Sequence, residues 1–222
     1  MATKDDPQIV FWGVGTSRTL RPIWVAEELG LSYQIKPIGP RTGETQTREY
    51  IELNPKQKVP FCQDGDFKIS ESMAICRYLI DCYGDASTLK KPETPKAFAK
   101  EDEWLCYIYG ELDETSLYVM RRHHGLPELY GEAPVAVEAA RDYATRHLQV
   151  IDAYLKTRTY LVHETFGISD IFLITCLNWA ESYGIQLLGE LKKYRDRIIQ
   201  SCLLYTSPSP RDRTRSRMPS SA

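Results

Sequence analysis

Two places in the sequence combine residue types that could hold a ligand. In "KVPFCQDGDFKISES", Lys58 to Ser72, a Val-Pro pair heads an apolar run, which turns at Asp64-Gly65 and ends on Glu71-Ser72 where a helical pattern begins. An X-Pro bond adopts the cis form at a cost of only about 0.5–1 kcal/mol. A cis Val59–Pro60 bond would point the Val59 N–H and C=O away from the sheet, ready to pair with an extended peptide. At the other end, Ser72 lies in the first turn of a helix whose backbone N–H groups attract an anion, and Glu71 beside it can receive an ammonium. Together these groups suit a carboxylate and an ammonium on one carbon, followed by an extended backbone. Plain helix capping by Glu71 and Ser72, and a merely solvated Lys58, are the simpler alternatives.

The second place is "TSRTLRPIWVAEELG", Thr16 to Gly30, where two hydroxyls, Thr16 and Ser17, open a helical pattern directly after an apolar run. An α/β fold presents its loops and helix N-termini at such a point, so a catalytic group belongs there. The same residue types favour helix caps in any case. Neither a tyrosine nor a cysteine occupies this loop.

The elements that must position these groups follow from pattern. "QIVFWG", Gln8 to Gly13, has a buried-strand signature. The Thr16–Gly30 stretch has apolar and polar faces, a proline in its first turn and a closing glycine, all helix signals. "SYQIKPI" is a second strand, its proline suited to a sheet edge. "QTREYIELNP" is a short helix stopped by Pro55, and "VPFCQDGDFKIS" is a hairpin. Ile75, Tyr78, Leu79 and Cys82 then recur at helical spacing until Gly84. The order β-α-β-α-β-β-α over residues 8–84 predicts an α/β domain with a parallel pair and a later antiparallel hairpin. A polar, proline-bearing linker follows over 85–95. Residues 96–200 show three long helical patterns and almost no strand signal, so the second domain is expected to be all-α.

Composition fits a globular chain: 222 residues, 42% apolar, 26% charged and a formal charge of −2. No apolar run approaches the roughly 18 residues needed to span a bilayer. The start "MATKDDPQ" lacks an apolar signal core, so a cytoplasmic location is expected, with neither membrane nor nucleic acid as partner. Cys62, Cys76, Cys82, Cys106, Cys176 and Cys202 show no metal-ligand spacing and are expected mainly as core residues in a reducing compartment; no metal site is predicted. His123-His124 reads as a solvated helix end.

Residues 202–222, "CLLYTSPSPRDRTRSRMPSSA", resemble translated DNA of a transposon-type sequencing-library adapter. Adapter codons read in one frame give Cys202 to Asp212 and, after an index-sized gap, Ser216 to Ala222. The segment is therefore expected to be non-native, with the native C-terminus lost shortly after "YRDRIIQ". It carries four Arg and one Asp, and without it the formal charge is −5.

The motifs "TSRTLRPIWVAEELG", "NPKQKVPFC", "ISESMAICRYL" and, more loosely, "FGISDIFLITCLNWAESYG" together resemble the cytosolic glutathione transferase family over Ile9 to about Gln200. The resemblance implies a thioredoxin-like N-terminal domain, a helical C-terminal domain, a homodimer, and glutathione as co-substrate with no permanently bound cofactor. It implies that the Val59 backbone, at the Val59-Pro60 pair, holds the cysteinyl unit. Glu71 and Ser72 would hold the γ-glutamyl ammonium and carboxylate, and Lys58 would reach the glycyl carboxylate or a nearby backbone group. The Ser17-to-Arg21 spacing resembles the serine-type branches, such as theta and phi, in which a serine hydroxyl donates to the glutathione sulfur; Thr16 is the second choice. A hydrophobic electrophile is expected between the domains, against Trp104, Tyr107, Tyr109, Leu117 and Tyr118. Where the family usually has Ser or Thr three residues before an Asp, this chain has Gly167 before Asp170, for which a structural capping role is expected. The implied activity is conjugation of the glutathione thiolate to hydrophobic electrophiles. Glutathione-dependent peroxide reduction or isomerisation, and a non-catalytic binding module of the same fold, are the alternatives.

Overall fold

The computed structural model describes residues 8–84, 89, 91–187 and 189–201. Strand β1, Ile9–Trp12, leads through the Val14–Thr16 turn into α1, Ser17–Glu28. Strand β2, Tyr33–Lys36, a single 3-10 turn at Glu44–Gln46 and helix α2, Arg48–Leu53, follow. Strands β3, Phe61–Asp64, and β4, Phe67–Ser70, form the hairpin before α3, Ser72–Tyr83. The sheet order is β2-β1-β3-β4, with β1 parallel to β2 and antiparallel to β3, and β3 antiparallel to β4. The order and mixed pairing match the thioredoxin-like domain expected from the sequence. Pro37 directly follows an edge strand, where its missing N–H costs no ladder bond.

One detail of α1 differs from expectation. Pro22 lies in the second helical turn, inside the helix, and is buried with Ile23, Trp24, Val25 and Ala26. It withholds one intrahelical donor, and the apolar face around it packs against α3 on one side and against the second domain on the other.

Of the linker expected over 85–95, residues 85–88 and 90 lie outside the described residues, as does the tail 202–222. Helix α4, Pro95–Tyr107, is capped by the Thr94 hydroxyl. It runs without a break into a π-helical stretch, Ile108–Leu117, then one α-helical turn, α5, Tyr118–Met120, and a second π stretch, Arg121–Gly125. Helices α6, Pro127–Tyr130, α7, Pro134–Leu155, α8, Ile168–Ser182, and α9, Glu190–Ser201, complete the all-α domain. Every residue of α8 from Ile168 to Leu177 is buried, and this helix packs against α1, α4 and the first π stretch. The core thus continues from one domain into the other.

Two cysteines depart from the expected core role: Cys62, Cys76 and Cys176 are buried, but Cys82 and Cys106 are exposed. Each falls on the outward side of a helix whose other face is apolar. Cys202 lies outside the described residues.

Candidate functional site

The hydroxyl pair at the start of α1 divides its work. Thr16 is the N-cap: its Oγ1 accepts the Thr19 N–H at 3.1 Å, and Thr19 Oγ1 accepts the Thr16 N–H at 3.1 Å in return. A side-chain cap of this kind contributes about 1 kcal/mol. Ser17 is the first residue inside the helix, and among the described residues its hydroxyl has no hydrogen-bond partner. It faces two adjoining cavities at the domain boundary.

A glycine lets this turn come close to the hairpin. Gly13 has φ +115°, and a Cβ there would lie 2.6 Å from Val59 Cβ, so no other residue allows β1 to leave the sheet so near Val59. The Val59–Pro60 bond is cis, as expected. Among the described residues no hydrogen bond uses the Val59 N–H or carbonyl. The preceding carbonyl, by contrast, is engaged: Lys58 O accepts from Tyr50 Oη at 2.7 Å and from Asn54 Nδ2 at 2.9 Å. Helix α2 thereby holds the hairpin entry in place.

At the far end of the hairpin, Glu71 has φ +76° and ψ 120°, a strained backbone for a non-glycine residue. Its side chain is 56% exposed and pairs with Lys56 Nζ at 3.2 Å. Ser72 is buried, and the N-terminus of α3 has neither a side-chain cap nor an acidic residue in its first turn. The amide donors there remain available to an anion. Val59, Pro60, Glu71 and Ser72 line one cavity of ≈ 390 Å³, with Lys58 beside them.

The opposite wall comes from the helical domain. Tyr109 and Tyr118 border this cavity, and the Arg18 guanidinium sits 5.6 Å and 4.5 Å from their ring centroids. The two tyrosines are nine positions apart. At about 100° per residue, an α-helix would put them on opposite faces. The π stretch between them makes about 4.4 residues per turn, consistent with i→i+5 bonding, so nine residues close two turns and both rings share a face.

The other three expected wall residues lie elsewhere. Leu117 is 1% exposed and in the core. Trp104 packs on Tyr107 and Tyr154, and Tyr107 Oη is 2.7 Å from His147 Nδ1, so both belong to the α4–α7 contact. None of the three borders the cavities around Ser17. Arg41, Arg121, Tyr130 and Trp179 do border them and were not singled out from sequence. Charged residues on helix and loop surfaces look solvated in a linear pattern, and Arg121, at the start of the second π stretch, meets Trp179 of another helix.

Two buried carboxylates support the frame. Asp113, in the π stretch, accepts from Arg18 Nε at 2.9 Å and from Arg21 at 2.6 Å, joining α1 to the second domain. Asp170 accepts the Gly167 and Leu161 N–H groups, each at 2.8 Å, and the Tyr194 hydroxyl at 2.5 Å. Burial pushes its carboxyl up to about 6 against the pull of these three donors. It caps α8 from a Gly167 start and lies outside the cavities. His123 meets the Gly131 carbonyl at a helix end, also away from Ser17. Among the described residues, no group of three or more His, Cys, Asp or Glu could hold a metal ion, and no helix is long and apolar enough to cross a membrane.

A thioredoxin-like sheet domain, a helical domain and this cleft between them define a class. The chain matches the family models "Glutathione S-transferase, N-terminal domain" over residues 7–81 and "Glutathione S-transferase, C-terminal domain" over 113–201. It belongs to the glutathione S-transferase family, whose enzymes use glutathione as co-substrate. It is similar to glutathione S-transferase theta-1 of Bos taurus, 28% identical over 193 residues and covering 82% of this chain and 78% of the relative. It is also similar to the theta-class transferase of Xanthomonas axonopodis pv. citri, solved with glutathione bound: 27% identity, TM-score 0.73, covering 86% and 92% of the two chains. A delta-class transferase of Nilaparvata lugens shares the fold at TM-score 0.79 and 23% identity, covering 91% and 93%.

Proposed function

We propose that this protein binds glutathione across the Val59 and Glu71–Ser72 ends of the hairpin and transfers its thiolate to hydrophobic electrophiles, with Ser17 stabilising the thiolate. The observation that carries the reading is the division between the two hydroxyls. Thr16 is committed to its cap, while Ser17 is unengaged and faces the cavity that Val59 also lines. The uncapped start of α3 supports a site for the γ-glutamyl carboxylate, and the Glu71 carboxylate supports one for the ammonium. Lys58 and its neighbour Gln57 line the same cavity as Val59, which supports a site there for the glycyl end of an extended tripeptide. Tyr109 and Tyr118 form the wall across from the peptide.

The chemistry asks little of each group. A free thiol titrates near 8.5, and each unit of lowering needs about 1.4 kcal/mol in favour of the thiolate. A hydrogen bond to a charged acceptor supplies about 1.5–3 kcal/mol, and the positive end of α1 adds a fraction more. About two units of lowering is within reach. The thiolate then forms a C–S bond to the electrophilic carbon, which expels a leaving group with its electron pair or passes charge to a neighbouring acceptor. Assembly as a homodimer belongs to the same proposal.

Retention on glutathione-agarose followed by conjugation of chlorodinitrobenzene between about pH 5.5 and 8 tests the reading. Retention and a rate rising through an apparent pKa well below about 8.5 are expected. Retention with no conjugation, alongside reduction of cumene hydroperoxide, would replace transfer with peroxide reduction. Retention with neither activity would favour a binding module.

A further inference from the structure

We infer that the electrophile taken by this protein carries an anionic group, and that Arg121 selects for it. The inference rests on the proposed function, since it concerns the second substrate of the same site. Two cavities meet at Ser17. The first is shared with the hairpin and contains Lys58 and Val59. The second is a ≈ 430 Å³ hollow bordered by Ser17, Arg121, Leu126, Trp179 and Tyr183, and it contains none of Lys58, Val59, Pro60, Glu71 or Ser72. It adjoins the sulfur position without taking part in holding the peptide.

The charge around Ser17 is one-sided. Among the described residues, neither cavity is lined by an Asp or Glu, yet Arg41, Lys58 and Arg121 line the first and Arg121 also lines the second. Arg18 is neutralised by Asp113 and Glu114. Among the described residues Arg41 donates to two phenols, Tyr130 at 2.9 Å and Tyr118 at 3.0 Å. Arg121 has no hydrogen bond or ion pair among the described residues; its nearest aromatic contact is the Trp179 ring, 6.0 Å from centroid to guanidinium carbon. Two displaced titrations agree with this excess of positive charge. Burial and then the charge of Arg41 hold Arg121 below its usual value. The Arg41 hydrogen bond, with the charges of Arg41, Lys58 and Arg122, holds the Tyr130 phenol below its own.

One carboxylate of glutathione can occupy the cations beside Lys58, but it does not reach into the second hollow if the peptide runs along the hairpin. An arginine held half-buried and unpaired against an indole is suited to a planar anion, the aromatic body lying on Trp179 and Tyr183 and the negative group on the guanidinium. The substrate class is an aryl electrophile bearing a carboxylate, sulfonate or similar group.

The test compares 4-chloro-3,5-dinitrobenzoate with its methyl ester. In both, the thiolate bonds to the chlorine-bearing carbon and chloride leaves with its electron pair. The methyl ester is the more reactive ring, so each kcat/KM is divided by the uncatalysed rate constant with glutathione; on that scale the wild-type protein is expected to favour the carboxylate. Arg121→Gln should lower the carboxylate-to-ester ratio by about tenfold, and Arg121→Lys should retain most of it. Equal rate enhancements over the uncatalysed reaction for both substrates, or a ratio unmoved in Arg121→Gln, would overturn the anionic pocket and leave the transferase reading standing. If neither compound is turned over, the transferase reading falls, and equilibrium titration of the protein with each compound alone decides the pocket: equal affinities overturn it.

Discussion

Arg21 and Asp113, 92 positions apart, meet at 2.6 Å with neither side chain exposed. Arg21 also donates to Thr175 Oγ1 at 2.9 Å and lies over the Phe172 ring, yet among the described residues its Nη1 has no partner. A buried pair of this kind is held more by the cost of breaking it than by any surplus it supplies. Asp113→Ala, which leaves Arg21 buried without its counter-charge, should cost about 3–5 kcal/mol. Urea unfolding at constant m-value measures this. The apolar double replacement Arg21→Met with Asp113→Leu should regain much of the loss, and a double variant as weak as Asp113→Ala would refute the account.

Ser17→Ala should lower kcat/KM for chlorodinitrobenzene by about 10- to 100-fold, the range of one hydrogen bond to a charged acceptor. The apparent pKa of the bound thiol should rise toward about 8.5. Thr16→Ala should do the reverse, losing about 1 kcal/mol of stability through the missing cap while leaving the thiol titration close to that of the wild type. Thiolate absorbance across pH, read beside thermal unfolding, separates the two hydroxyls. A full thiol shift in Thr16→Ala would transfer the role to Thr16.

Glu71 is expected to trade stability for affinity. At φ +76° it occupies backbone space that glycine enters freely, and its exposed pair with Lys56 adds little. Glu71→Gly should therefore match or exceed the wild-type melting temperature while binding glutathione about tenfold more weakly. Calorimetric titration on a variant of unchanged fold provides the check, and undiminished affinity would remove Glu71 from the ammonium site.

Asp170 gives the stability a sign with pH. Its carboxyl lies at about 6 in the folded protein and near 3.9 when unfolded. Between those values the native state holds the proton more tightly, so this group's contribution is greatest at low pH and is lost as pH rises through about 6. Asp170→Asn cannot titrate, and its unfolding free energy should fall less steeply than the wild type's between pH about 4 and about 6. Parallel slopes in urea titrations at several pH values would show that Asp170 stays ionised throughout.

The N-terminal domain was legible because each of its elements is punctuated locally. Gly13, the Asp64–Gly65 turn, Pro55 and the hydroxyls before α1 each specify backbone geometry within a few residues. The hairpin ends were legible for the same reason, since a cis-prone Val-Pro and a helix start sit inside one short segment. The helical wall was not. Tyr109 and Tyr118 fall with Trp104, Tyr107 and Leu117 in one aromatic-rich stretch, although ordinary helical periodicity cannot place Tyr109 and Tyr118 together. The widened turn carries Asp113, which meets arginines of α1, and no local pattern records those contacts. Arg121 and Trp179 escaped for a related reason: they lie 58 positions apart in the chain and meet only once α8 is in place.

Ser17 and Arg21 lie one turn apart on the same short helix, so the hydroxyl proposed to meet the sulfur is geared to the seam between the domains. The donor's aim inherits its stiffness from contacts made on the far side of α1. Warming or mutation that loosens the seam would detune the nucleophile before either domain melts, and activity would report the health of that joint earlier than any spectroscopic measure of folding.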